Sequence, residues 1–204
     1  HKGVTFTRIF SSVDETRASF RATQHVLLEG MLLAAIVVFV FLRDWRSTMI
    51  TAFAMPVSLI PTFFFMNLFG FSLNVVTLLA LTLVVGILVD DAIVEIENIE
   101  KRVAQGMRPF QAALQGADAI GLAVVATTMA IIVVFMPVSF MKGMAGQFFR
   151  EFGLTVCVAV MFSLVVARLL TPLMAAYLLK PTSHPVERKP FEGFYRNALE
   201  WSLD

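Results

Sequence analysis

Apolar residues fill this sequence in long runs that charged residues interrupt only at intervals. Residues 47–89 contain no charged side chain, and a helix of that length, at about 1.5 Å per residue, is roughly twice as long as a ~30 Å hydrocarbon core. Gly70 and two asparagines break the run, which indicates two helices joined by a turn. The whole pattern predicts an all-α integral membrane fold with five transmembrane helices, at about 26–42, 48–69, 72–98, 119–140 and 152–179.

The composition supports the membrane class. Of the 204 residues, 58% are hydrophobic and 15% are charged, whereas soluble domains have roughly 45–50% and about 25%. The net charge of +1 gives no reason to expect nucleic acid as a partner. Cys157 is the single cysteine and the three histidines lie outside the predicted spans, so we predict neither a disulfide nor a metal site.

Lysine and arginine are concentrated in the loops after the first, third and fifth spans. The positive-inside rule therefore places those loops in the cytoplasm and residues 1–22 outside. Residues 101–121 predict a short amphipathic connector, which Gly106, Pro109 and Gly116 break. Residues 181–204 predict either a helix that lies on the membrane surface or a loop packed on another domain.

Two adjacent aspartates, Asp90 and Asp91, lie inside the third span. Asp90 is about 16 Å from the cytoplasmic end of that helix at the standard rise, near mid-membrane. Residues four and seven apart share a helix face, so Gly86, Asp90 and Glu97 form one stripe, and Asp91 lies on the next. Gly86 leaves room for a neighbouring helix. A carboxylate in hydrocarbon must be neutral, paired with a cation or close to water, so this pair predicts a path for protons or another cation.

Two further charges lie inside spans, Glu29 near the outer end of the first and Arg168 in the last. Arg168 has a depth similar to that of the aspartates. We expect it to pair with the acidic helix, through an aspartate or a glutamate, the alternative being that it extends to the cytoplasmic side. The last two turns of the third helix carry three glutamates that we expect to be interfacial or partnered surface charges: Glu95, Glu97 and Glu100.

At these residues the sequence resembles a known family. The stretch "FSLNVVTLLALTLVVGILVDDAIVEIENIEKR" is similar to the fourth transmembrane helix of resistance-nodulation-division (RND) efflux transporters of the hydrophobe/amphiphile branch. Four other stretches resemble the second helix with its cytoplasmic turn, the third helix, the connection from the fifth helix to the sixth, and the end of the sixth: "LLEGMLLAAIVVFVFLRDWRSTMI", "MPVSLIPTFFFMNLFGFSLN", "FMPVSFMKGMAGQFFREFG" and "LLTPLMAAYLLKP".

The resemblance implies helices two to six of a six-helix repeat, with residues 1–22 as the end of the first periplasmic loop and residues 181–204 as a cytoplasmic connector. It implies an inner-membrane drug/proton antiporter in which Asp90 and Asp91 relay protons and pair with a lysine of the second half. No cofactor is implied, because the proton gradient supplies the energy. The implied partners are a periplasmic adaptor, an outer-membrane channel and two further copies in a trimer. Glu95 and Arg168 depart from the best-known drug pumps, where these positions are apolar, and we expect them to compensate each other.

Other functions are less consistent with these residues. A heavy-metal, lipid or protein exporter of the same superfamily would use the same relay for another cargo, but no cluster of metal ligands is evident. An intramembrane aspartyl protease needs its two aspartates on separate helices, whereas here they are neighbours, roughly 100° apart on one helix. We therefore predict a transporter and not an enzyme.

Overall fold

The computed structural model describes residues 12–180 and residue 202, and side chains at residues 21, 22, 24–180 and 202. Five segments in this part of the chain are long and apolar enough to cross a membrane, as the sequence predicted. The helices are α1 (Ser12–Leu42), α2 (Trp45–Leu68), α3 (Val75–Ala104), α4 (Pro109–Phe135), α5 (Gly143–Val165) and α6 (Thr171–Leu178). A 3-10 turn (Pro137–Phe140) follows α4, and a single π turn (Val166–Leu170) joins α5 to α6, so that these two form one span.

Short polar residues start the second and third helices. Asp44 precedes α2 and accepts a hydrogen bond from the backbone N–H of Ser47 at 3.0 Å. Asn74 precedes α3, and its side chain accepts from the N–H groups of Val76 and Thr77 at 2.9 and 3.0 Å. These side chains satisfy N–H groups that a helix leaves without partners, which is why a helix can begin there directly after a turn.

The third helix is the centre of the bundle. It contacts α1, α2, α4 and α6 and packs most extensively against α5. Its buried residues Leu81, Val84 and Leu88 meet Val156 and Val160 of α5 in the largest apolar cluster. Apolar side chains on the outer surfaces of the other helices remain exposed in the isolated chain, which is the arrangement expected of helices that face lipid.

The connector expected at residues 101–121 is too long, because the chain turns only at residues 105–108, where Gly106 has a φ of 95°. The third helix continues to Ala104, and α4 begins at Pro109 rather than near residue 119. Proline is favoured in the first helical turn because it needs no N–H partner there. Gly116 lies inside α4 and does not break it. The lack of a side chain there lets α3 pass close by, since a Cβ atom on Gly116 would be 2.9 Å from Cγ1 of Ile99.

The other predicted boundaries also differ in length. The first helix begins at Ser12, so residues 12–22 extend it instead of forming a loop, and the fifth span begins at Gly143 rather than 152. Charged residues at these ends had suggested loops, but a helix can continue beyond the hydrocarbon region. The predicted surface helix in residues 181–204 falls outside the described residues.

Candidate functional site

The third helix has one open face and one buried face. Gly86, Asp90, Val94 and Glu97 are all exposed, so the stripe derived from helical spacing lies along the open side. Apart from its chain neighbours and the nearby backbone of α3 itself, no atom of the described chain lies within 4 Å of a Cβ built on Gly86. The close approach expected at this glycine is therefore not made by any of the five described spans, and it stays a prediction for a helix outside them.

The two adjacent aspartates have different surroundings. Asp90 is exposed on the open face, whereas Asp91 is half-buried against α5. The hydroxyl of Ser163, a buried residue near the end of α5, donates a hydrogen bond to Oδ2 of Asp91 at 3.1 Å. One carboxyl group is thus in contact with the bundle, and the other points away from it.

Glu95 is completely buried, with 0% of its side chain exposed. Its Oε2 atom lies 3.6 Å from Nη1 of Arg168, and neither carboxylate oxygen accepts a hydrogen bond. The expectation that Glu95 is a surface charge is therefore wrong, because the residue is buried on the inner face of α3. Glu97 is exposed, and Glu100 accepts a hydrogen bond from the Ser47 hydroxyl.

Arg168 lies between the third and fourth helices. Its Nη1 atom donates to the backbone carbonyl of Ala117 in α4, and 28% of its side chain is exposed. Gly121 provides the space, since a Cβ atom there would lie 2.6 Å from Nη2 of Arg168. Of the acidic partners considered for this arginine, the structure brings Glu95 within ion-pair distance.

The π turn determines which way Arg168 points. Hydrogen bonding from residue i to i+5 inserts one extra residue into the span, as in the bond from the N–H of Thr171 to the carbonyl of Val166. Pro172 follows and cannot donate to the carbonyl four residues earlier, which favours such an irregularity. As a result Ser163 and Arg168, five residues apart, both meet α3, at residues 91 and 95.

Several contacts were not predictable from the sequence pattern. Ser163, Ala117 and Gly121 carry no signal that would distinguish them from other small residues in apolar runs. Glu29 is exposed on α1, and no ion pair joins it to α3 among the described residues. In the same part of the chain, no group of three or more His, Cys, Asp or Glu side chains could hold a metal ion.

Comparison with known proteins agrees with the resemblance seen in the sequence. The chain matches the AcrB/AcrD/AcrF family over residues 1–202. It is 43% identical over 198 residues to "Multidrug resistance protein MdtC" of Escherichia coli and of Shigella flexneri, and 43% identical over 199 residues to MdtC of Pectobacterium atrosepticum. Each alignment covers 92% of this chain and 19% of the relative.

The chain thus spans about a fifth of the length of the curated relatives it matches. Its five membrane-crossing helices and the family match over nearly every residue lead to one assignment. The chain belongs to the AcrB/AcrD/AcrF family of RND transporters.

Proposed function

We propose that this chain is the proton-coupling part of a transporter that uses the proton-motive force to expel amphiphilic compounds across the Gram-negative envelope. The observation that carries the proposal is the position of Asp90 and Asp91, adjacent on the central helix and roughly mid-span. The multidrug resistance named in its relatives supports a drug-type cargo. A metal, lipid or protein cargo would leave the role of the aspartates unchanged.

The two aspartates have complementary roles in this proposal. A proton arriving from the outer side binds a carboxylate and removes its charge, which changes the interactions that the carboxylate can make. For Asp91 the interaction at stake is the hydrogen bond from Ser163, which joins α3 to α5. For Asp90 the interaction at stake is an ion pair with a cation on another helix, which lies outside the described bundle and meets the open face of α3. Protonation and release would then move α3 relative to its neighbours and couple proton flow to the rest of the transporter.

We further propose that the full-length protein resides in the bacterial inner membrane as a homotrimer. It would act with a periplasmic adaptor and an outer-membrane channel, and it would use no bound cofactor. Membrane lipid would cover the exposed apolar surfaces of the bundle. We propose no enzymatic step, because the free energy of the proton gradient is sufficient to drive transport.

The first prediction tests the relay directly. Asp90→Asn and Asp91→Asn, each in the full-length transporter, should abolish dye efflux from energised cells, because an amide has nearly the same shape as a carboxyl group but cannot take up a proton. The amount of transporter in the membrane should be unchanged. Asp118→Asn, the same change at an exposed position of α4, is the matched control and should retain efflux. Normal efflux by both relay variants would refute the proposed function.

A further inference from the structure

The third helix meets the α5–α6 span at two successive turns. Asp91 accepts a hydrogen bond from Ser163, and four residues later Glu95 lies against Arg168. The proposed relay uses Asp91 and leaves the second contact without a role. Both contacts nevertheless join the same two segments, so a change in one alters the geometry available to the other.

Glu95 depends on Arg168 for its charge. The side chain is completely buried, its two oxygens accept no hydrogen bond, and the guanidinium at 3.6 Å is the cation beside it. A buried carboxylate that loses its only cation is strongly destabilised, whereas replacement of both partners by apolar groups is often harmless. Removal of Arg168 alone should therefore force Glu95, and α3 with it, to move.

Arg168 is itself held in place by the fourth helix. Its bond to the carbonyl of Ala117 and the space at Gly121 fix the guanidinium between α3 and α4. One turn after Glu95 on α3, the side-chain amide of Asn98 donates a hydrogen bond to the backbone carbonyl of Gly116 in α4 at 2.7 Å. The ion pair is thus part of a contact that sets the position of α3 against two neighbouring segments.

In the described part of the chain, no other charged group forms an ion pair with Asp91 or Glu95. On α3 itself, Asp90 adjoins Asp91 but lies on the open face. The remaining elements packed against α3 contribute charged or titratable groups that form no ion pair with Asp91 or Glu95 in the described part of the chain: Arg21, His25 and Glu29 on α1, Arg46 on α2, Asp118 on α4, Arg150, Glu151 and Cys157 on α5, and Tyr177 on α6.

We propose that Glu95 and Arg168 are positioning residues for the relay. Their ion pair holds α3 in the register with the α5–α6 span at which Asp91 accepts the Ser163 hydroxyl. This inference rests on the proposed role of Asp90 and Asp91, and it adds the residues that set the geometry of Asp91 without carrying the proton themselves.

The test compares the pH dependence of efflux in variants of the full-length transporter. Rates are measured in energised cells over a range of external pH and divided by the amount of folded trimer in the membrane. Arg168→Met should slow efflux at neutral pH by about tenfold to a hundredfold, and it should shift the pH of half-maximal efflux. Ser163→Ala should shift it in the same direction, because both changes alter the contact between Asp91 and α5. Arg150→Met, which removes an exposed arginine from the same membrane span, should leave the pH of half-maximal efflux unchanged.

A double variant separates positioning from proton carriage. Glu95→Leu combined with Arg168→Leu replaces the ion pair by an apolar pair, and efflux and its pH profile should return to within about twofold of the starting protein. If Arg168→Met does not fold, Arg168→Lys takes its place, and it should give a smaller shift of the profile because a cation remains.

Two results would overturn the inference. One is an Arg168 variant that lowers the amount of folded trimer and leaves the pH profile unmoved, which would make the pair merely structural. The other is a double variant that folds but shows no efflux, which would mean that Glu95 itself takes part in carrying the proton. Failure of the underlying relay is distinguishable, since Asp90→Asn and Asp91→Asn would then pump normally.

Discussion

At the residue scale, neighbouring carboxyl groups on α3 differ mainly in what faces them. Asp90 faces no described helix, Asp91 faces a hydroxyl group, and Glu95 faces a guanidinium. Distance along the helix axis predicts none of these differences, because it gives depth and not direction. The same depth argument placed Glu95 at the interface, whereas its inward direction buries it beside Arg168.

Gly121→Ala should destabilise the transporter only when Arg168 is present. The new Cβ would lie 2.6 Å from Nη2 of Arg168, and the guanidinium, at the end of a flexible side chain, would move away from Glu95. In an Arg168→Met background the same change should be neutral, or stabilising by up to about 1 kcal/mol from helix propensity. The coupling between the two positions is measured by thermal unfolding of four purified full-length proteins, namely the unchanged protein, each single variant and the double variant. Equal effects in both backgrounds would show that Gly121 does not make room for the arginine.

At the element scale, the hydrophobic pattern predicted which segments cross the membrane and did not predict where all of them begin. The five spans follow from runs of apolar residues, a property that each segment carries by itself. The continuation of α4 through Gly116 accompanies a close contact with Ile99 of another helix, which no single segment reveals. The π turn likewise depends on packing and on Pro172, and no periodicity of 3.6 residues indicates it. The contact of Ser163 with Asp91 was unpredictable for the same reason.

Gly116→Leu should push the third and fourth helices apart. A Cβ at this position would lie 2.9 Å from Cγ1 of Ile99, which is too close, and in ordinary contact with its Cα at 3.5 Å, so the Ile99 backbone leaves little room for the remaining atoms of a leucine side chain. Overpacking of this kind costs about 1–3 kcal/mol, and we expect a lower unfolding temperature together with reduced efflux. Leu114→Ala, at an exposed position of the same helix, is the control. An unchanged unfolding temperature in Gly116→Leu would show that the two helices are not closely packed here.

At the scale of the whole molecule, the central helix is covered on one side only. Buried residues of α3 face the other helices, and the stripe of Gly86, Asp90 and Val94 is exposed. Lipid is a poor neighbour for Asp90, because a carboxylate at mid-membrane needs a cation, a proton or water. The chain spans 19% of the length of its relatives, so we expect a helix from the remainder of such a transporter to cover this stripe and to supply the cation.

Gly86→Leu tests whether that helix exists. Apart from the adjoining residues of α3 itself, nothing in the described chain lies within 4 Å of a Cβ at Gly86, so the substitution should leave the packing of these five spans intact and the transporter should insert normally. A leucine would nevertheless keep a covering helix at a distance, because small residues are what allow helices to approach closely in membranes. We therefore expect efflux by the full-length transporter to fall by about tenfold or more, and Gly86→Ala to give a smaller loss. Gly30→Leu makes the same change at a glycine of α1 with equally open surroundings, and efflux should persist. Wild-type efflux in both leucine variants would mean that the Asp90 face of α3 meets lipid or water and that its cation must come from elsewhere.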